Sequence, residues 1–153
     1  MAISFNFVNS LFYIPKKKTC EWLILVCYLE HAEIETLDYV FCSDEYILNL
    51  NSRYLNHKFY TDILTFDYSE NHRITAEIYI SVDRIKDNAS KFKNTFQQEL
   101  KRVMIHGLLH TLGYKDKSVV LKRLMRKKED DCLLLFDNMK HVSRETAPIY
   151  NKC

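Results

Sequence analysis

The segment His-Gly-Leu-Leu-His-Thr-Leu-Gly-Tyr-Lys-Asp, residues 106–116, sets the organisation of this chain. His106 and His110 are four residues apart, which places their side chains one turn apart on the same face of a helix. Gly113 favours a left-handed conformation that ends the helix and turns the chain back. The turn predicts that the carboxylate of Asp116 joins the two ring nitrogens on one metal ion.

Three protein ligands leave a fourth position on a zinc ion open to water, which is typical of a catalytic rather than a structural zinc site. The spacing matches the metzincin pattern, but Gly107 stands where that pattern has a glutamate, and Asp116 replaces the third histidine. Histidines at this spacing also occur as half-buried core residues, and Asp116 could instead pair with Lys115 or Lys117. The glycine and the carboxylate at matching positions favour the metal site, with one zinc ion per chain.

Hydrophobic periodicity predicts the elements around this segment. Alternating apolar residues predict strands at 3–7, 37–42, 63–68 and 74–81. Helical spacing predicts helices from a cap at Thr19 to about His31, from Ser43 or Asp44 through Tyr54, and over 82–92, 95–112 and 118–136. The pattern predicts an α+β fold, in which a small mixed four-stranded sheet packs with about five helices. We expect the metal helix, the predicted helix over 95–112 that carries His106 and His110, to cross the sheet with a cleft between them. We expect one domain over residues 1–140 and a tail over 141–153.

The composition favours a cytoplasmic protein with no membrane association. The five cysteines form no Cys-x-x-Cys pair, which fits a reduced compartment better than a disulfide framework or a zinc ribbon. The first fifteen residues carry no positively charged side chain and do not resemble a secretory signal. The longest apolar run, 22–29, is too short to span a bilayer.

Further segments accompany the metal motif between residues 49 and 135. They are Leu50-Asn51, Tyr54, Thr-Asp-Ile-Leu-Thr-Phe at 61–66, Glu-Ile-Tyr-Ile at 77–80, Glu99-Leu100, and Met125 with Glu129. Together they resemble the YbeY family of metal-dependent single-strand endoribonucleases. The resemblance implies zinc ligation by His106, His110 and Asp116. It also implies cleavage of single-stranded RNA in 3′-end maturation of small-subunit ribosomal RNA and in ribosome quality control, with the ribosome or its small subunit as partner.

The chain departs from the family at two positions that matter for chemistry. Family members usually have histidine where this chain has Asp116, and commonly have arginine where it has Leu55. Arg53 lies two residues earlier, on a different helix face, and the arginine's role is not carried over to it. Glu77 matches an acidic position in the family's fourth strand. It is a candidate general base or a group that supports a metal ligand. The alternative is an exposed acid at a strand end.

A basic segment follows the metal motif, although the formal net charge of +2 is too mild to indicate a polyanion partner by itself. Lysines and arginines beside the site would neutralise backbone phosphates without reading bases. The residues predicted to contact RNA in this way are Lys115, Lys117, Lys122, Arg123 and Arg126. The alternative is a solvated helix face. Aromatic side chains could stack on unpaired bases, and the candidates are Phe59, Tyr60, Tyr79 and Tyr114, the last because it adjoins the motif.

The leading prediction is a zinc-dependent endoribonuclease that hydrolyses phosphodiester bonds, with zinc acting as a Lewis acid and as an activator of water. A catalytically weak RNA-binding or ribosome-binding assembly factor with a structural metal is the second possibility, and Asp116 and Leu55 favour it. A metalloprotease is a third. Gly107 disfavours it because glycine cannot act as the general base that helical zinc proteases place there.

Overall fold

Four strands form one mixed sheet in the computed structural model, which describes residues 1–54 and 61–139. The elements are β1 (Ala2–Phe7), α1 (Lys16–Leu29), β2 (Glu33–Cys42), α2 (Asp44–Tyr54), β3 (Ile63–Asp67), β4 (Arg73–Ser81), α3 (Val82–Lys91), α4 (Phe96–Thr111) and α5 (Val119–Asn138). The strand order is β1-β2-β4-β3, with β3 antiparallel to β4 and the other pairs parallel. The predicted α+β fold is confirmed. Leu55, Phe59, Tyr60 and the tail 141–153 lie outside the described residues.

Strand alternation divides the sheet into two faces. Tyr39 of β2 and Ile78 of β4 are register partners, are fully buried, and point toward α4. The Tyr39 hydroxyl donates a 3.0 Å hydrogen bond to the Met104 carbonyl, which ties the sheet to α4. Trp22 of α1 donates a 2.7 Å bond from Nε1 to the Cys132 carbonyl of α5. The main core therefore lies between one sheet face and the helices α1, α3, α4 and α5, while α2 covers part of the other face.

Local capping signals begin the two helices that build the site. Thr95 and Gln98 form a reciprocal capping box at the start of α4, with bonds of 3.1 and 2.8 Å. The Ser118 hydroxyl accepts a 3.1 Å bond from the Leu121 amide at the start of α5. The two residues of each cap are three positions apart in the chain, so both helix starts could be predicted from sequence.

Two predicted boundaries are wrong. Helix α1 begins at Lys16 rather than after a cap at Thr19, whose amide already donates a 2.9 Å helical bond to the Pro15 carbonyl. The lysines that follow Pro15 are good helix formers, so the helix starts earlier. Strand β2 begins at Glu33, four residues before the predicted start, because it pairs with β4 from Glu33 onward across an irregularity near Ile34.

The longest apolar run lies within α1, where its inward-facing side chains belong to the main core. Within residues 1–54 and 61–139, no helix is both long and apolar enough to cross a bilayer. Burial raises the pKa of the Cys27 and Cys42 thiols to about 12. These two cysteines are therefore protonated at neutral pH and serve as small packing groups.

Gly107 brings α4 into close contact with the sheet. A Cβ at this position would lie 2.7 Å from Ile63 Cδ1 and 3.0 Å from Ile78 Cγ2. The residue after His106 therefore faces the sheet, where the metzincin glutamate would be buried among isoleucine side chains. This packing leaves no room for the expected cleft between the metal helix and the sheet, and it supplies a structural reason for glycine here.

Gly107→Glu is expected to lower the free energy of unfolding by at least about 3 kcal/mol, because it places an unpaired carboxylate against Ile63 and Ile78. Gly107→Ala is the matched control. Its methyl group displaces the flexible end of Ile63 while alanine favours the helix, so a change of no more than about 2 kcal/mol is expected. Urea unfolding monitored by circular dichroism measures both values. Equal stability of the glutamate variant and the wild type would contradict this packing.

Candidate metal centre

The side chains of His106, His110 and Asp116 converge on one point. The two Nε2 atoms are 3.0 Å apart, and Asp116 Oδ2 lies 3.4 Å from each of them. Ligand atoms held about 2.0–2.1 Å from a tetrahedral zinc ion lie about 3.3–3.4 Å from one another. The triad of these three residues is therefore compact enough to hold one metal ion.

The end of α4 and the turn after it create this convergence. His106 and His110 occupy the last two turns of α4, on the side that does not contact the sheet. Gly113 has a φ of +99°, which glycine adopts without strain. The Gly113 amide donates 3.1 Å to the His110 carbonyl and the Tyr114 amide donates 3.0 Å to the Leu109 carbonyl. These bonds close the helix and direct the chain back so that Asp116 reaches the histidines.

Hydrogen bonds to the outer ring nitrogens fix how the two histidines face the centre. His106 Nδ1 lies 2.8 Å from Glu129 Oε2, and His110 Nδ1 lies 3.0 Å from the Tyr114 carbonyl oxygen. A carboxylate and a carbonyl only accept, so each Nδ1 carries the proton and donates. In the neutral rings, both Nε2 lone pairs then point at each other and at the Asp116 carboxylate. Three electron-rich atoms at this separation favour a cation between them.

The pKa of His106 reflects its partners. Burial lowers this pKa, but the hydrogen bond and charge of Glu129, with the charges of Asp116 and Asp62, outweigh burial and raise it above its ordinary value. A proton on Nε2 therefore persists to higher pH than on a free histidine. Because the same Nε2 atom would bind zinc, protons and metal compete for it.

Glu129 is itself buried, and its carboxylate is paired with Arg102 as well as with His106. Only 5% of this residue is exposed, and its second oxygen accepts a 3.0 Å bond from Arg102 Nη1. Arg102 also donates a 2.7 Å bond from Nη2 to Asp130. The guanidinium offsets the cost of burying the Glu129 carboxylate, which in turn orients His106. Sequence reasoning missed Arg102, although its position four residues before His106 on the same helix face was an available signal.

Tyr114 anchors the turn that carries Asp116. Its hydroxyl donates to both carboxylate oxygens of Glu30, at 3.0 and 3.1 Å, and Lys128 pairs with the same Glu30. Its carbonyl accepts the bond from His110. Because both ends of Tyr114 are engaged within the protein, the structure assigns it to positioning the turn rather than to the predicted stacking on a base.

A cleft of about 300 Å³ opens beside the triad, between α4 and α5, and is bounded by the end of α3 and by Asp62. Its walls include the basic side chains Arg102, Lys122 and Arg126 and the exposed ring of Phe92. The cleft therefore lies between two helices and not, as expected, between the metal helix and the sheet.

The structure separates the five basic residues predicted to contact RNA. Lys122 and Arg126 line the cleft with His106 and Asp116. Lys115 lines a second groove, with Tyr114 and Lys128. Lys117 and Arg123 are exposed but are not among the residues that line the cleft. A charge run read along the sequence cannot distinguish these positions, because successive side chains of a helix point in different directions.

Glu77 is not brought to the triad. It neighbours Ile78 on β4, and because Ile78 faces α4, Glu77 points to the opposite face of the sheet. There the Tyr79 hydroxyl lies 3.5 Å from its carboxylate, and the Tyr79 ring stacks on Tyr46. Strand alternation thus removes both Glu77 as the candidate base and Tyr79 as a base-stacking residue of this cleft.

Glu129→Gln is expected to weaken zinc binding by about 10- to 100-fold, because it removes the charge that orients and polarises His106. Asp130→Asn is the matched control, since Asp130 contacts the same arginine but not a histidine. It should bind zinc within about threefold of the wild type. Competition with a chromogenic chelator measures both affinities. A similar loss in the two variants would contradict the orienting role of Glu129.

The raised pKa of His106 predicts a pH dependence. In metal-free protein, protonated His106 contributes stability that is fully present below the unfolded pKa of about 6.5 and is lost as pH rises through the raised folded pKa. Zinc competes with that proton, so the increase in Tm on zinc addition should be larger at about pH 8 than at about pH 6. Thermal unfolding with and without zinc at both pH values tests this. A zinc effect that is larger at the lower pH would refute it.

Comparison with known proteins identifies the family. The family model described as Endoribonuclease YbeY matches residues 15–137. A relative with that name from Flavobacterium psychrophilum is 46% identical over 134 residues, covering 88% of this chain and 96% of its own. One from Cytophaga hutchinsonii is 50% identical over 115 residues, covering 74% and 80%. The solution structure of TM1509 from Thermotoga maritima matches with a TM-score of 0.61 at 26% identity, covering 96% of this chain and 99% of its own. The chain therefore belongs to the YbeY endoribonuclease family.

Proposed function

We propose that this chain is a zinc-dependent endoribonuclease that hydrolyses phosphodiester bonds in single-stranded RNA. Its main support is the triad of two Nε2 atoms and one carboxylate oxygen, which borders a cleft that Lys122 and Arg126 also line. The relatives' shared name, Endoribonuclease YbeY, supports the same reaction class.

The donor set supports zinc in preference to magnesium and calcium. Two imidazole nitrogens and one carboxylate oxygen suit zinc, whereas magnesium and calcium prefer oxygen ligands throughout. When bound, zinc supplies Lewis acidity toward a phosphate oxygen and lowers the pKa of water in the open position. Because Asp116 is anionic, it leaves the centre less positive than a third histidine would.

Two cations that line the cleft offset part of that loss of positive charge. Lys122 and Arg126 project from exposed positions on α5 into the same cleft as the triad. Their cationic groups can hold the backbone phosphates on either side of the scissile bond and stabilise the charge that develops there. Arg102 binds Glu129 and Asp130, so its main contribution is to hold the Glu129 carboxylate in place against His106.

The choice of RNA comes from the family resemblance. We carry over single-stranded ribosomal RNA as substrate, with the ribosome or its small subunit as partner and the cytoplasm as compartment. The proposed roles are maturation of the 3′ end of small-subunit ribosomal RNA and ribosome quality control.

A structural metal in an RNA-binding assembly factor is the competing function. Structural zinc sites are usually closed by four protein ligands. Within residues 1–54 and 61–139, three side chains can reach the metal position. This three-ligand set and the relatives' printed activity both favour catalysis over a purely structural ion.

His110→Ala is expected to lose zinc and to reduce cleavage of single-stranded RNA by at least about 100-fold, because it removes one of the three ligands. His72→Asn is the matched control, since His72 is exposed at a φ of +61°, which asparagine tolerates. Metal content and cleavage of single-stranded RNA, duplex RNA and a peptide are measured for each protein. Undiminished RNA cleavage by metal-free His110→Ala would rule out a catalytic metal. Zinc bound to wild type without cleavage of any substrate would favour the assembly factor.

A further inference from the structure

An aromatic ring lies exposed within the metal cleft. Phe92 follows the last residue of α3, is 55% exposed, and lines the same cleft as His106 and Asp116. Among the described residues that line this cleft, it is the only phenylalanine, tyrosine or tryptophan. A flat apolar surface is therefore available to solvent close to the proposed centre.

The backbone presents this ring from a rigid helix end. The Phe92 amide donates a 2.9 Å bond to the Asn88 carbonyl, and the Asn94 amide donates a 2.9 Å bond to the Ala89 carbonyl. Between them Lys93 adopts a φ of +55°, the left-handed turn that ends many helices. Because these bonds fix the backbone on both sides of Phe92, the ring needs little further ordering to bind a flat partner.

The surroundings of the ring suit a nucleotide. The Lys91 ammonium lies 5.4 Å from the Phe92 ring centroid, and Lys93 is exposed on the other side of Phe92 in sequence. Lys122 and Arg126 supply positive charge from α5 in a cleft whose carboxylates are those of Asp62, Glu99, Asp116 and Glu129. Asn88 is half-buried one turn earlier on α3 and also lines the cleft, and an asparagine amide carries both donors and an acceptor. Aromatic rings alternating with cations are typical of surfaces that bind single strands.

We infer that Phe92 and Asn88 form a base-binding subsite for the RNA strand that the metal centre cleaves. The ring stacks on one unpaired base, and the Asn88 amide hydrogen-bonds to the edge of that base. A paired base has both faces stacked and its Watson–Crick edge occupied, so it cannot enter. The subsite thus gives a physical reason for single-strand selectivity, and it rests on the proposed ribonuclease function.

Phe92→Trp provides a direct optical test. The chain's single tryptophan, Trp22, is fully buried, so a tryptophan at residue 92 is the exposed reporter. Titration of the full chain in chelator with a single-stranded oligoadenylate should quench this fluorescence, while an abasic oligonucleotide of equal length should not. Tyr28→Trp is the control, because Tyr28 is 73% exposed on α1 and does not line the cleft. Equal quenching by both oligonucleotides, or quenching only in the control, would overturn the subsite.

Phe92→Leu tests the energetic contribution, since leucine keeps an apolar side chain but cannot stack. Its affinity for the oligoadenylate should fall by about fivefold or more, whereas affinity for the abasic strand should be unchanged. Phe92→Tyr should retain binding. If wild type cleaves RNA but Phe92→Leu binds oligoadenylate as tightly, the subsite is refuted and the ribonuclease function stands. If wild type neither binds nor cleaves single-stranded RNA, the ribonuclease function itself is refuted.

Discussion

The hydrogen bond from His106 Nδ1 to Glu129 is the contact on which the rest of the site depends. It joins α4 to α5 at 2.8 Å and turns the Nε2 lone pair of His106 toward His110 and Asp116. A carboxylate as buried as Glu129 would destabilise the fold if it were unpaired. Arg102 on one side and His106 on the other satisfy it. The same pairings therefore pack the two helices and orient a metal ligand.

Gly107 adds the second constraint, because it determines which face of α4 is free. It allows α4 to pack against Ile63 and Ile78, so one face of this helix is buried against the sheet. The face that carries His106 is left to border the cleft with α5 and the end of α3. A motif with metzincin spacing thus serves a different chemistry, because the position of the protease base is used for packing. The cations Lys122 and Arg126 line the cleft beside the triad.

The parts of this protein that were predictable from sequence depend on short-range geometry. The convergence of His106, His110 and Asp116 follows from helical periodicity and one glycine turn, and the mixed sheet follows from strand alternation. Arg102 and Phe92 were missed because their roles require knowing which elements face each other across the cleft. Glu77 was misplaced for the same reason, since a family match fixes a residue's position in the chain but not the face of the strand. The sequence does place Phe92 between Lys91 and Lys93, and an aromatic residue between two lysines is a pattern that could have indicated it.

A crystal structure of the zinc-loaded protein, with anomalous scattering recorded at the zinc edge, would show directly how the triad binds the ion. We expect one ion bound by His106 Nε2, His110 Nε2 and Asp116 Oδ2, each at about 2.0–2.2 Å, with water in the fourth position. Glu129 should remain bonded to His106 Nδ1. An ion closed by a fourth protein ligand, or one bound away from these histidines, would contradict an open catalytic centre at this position.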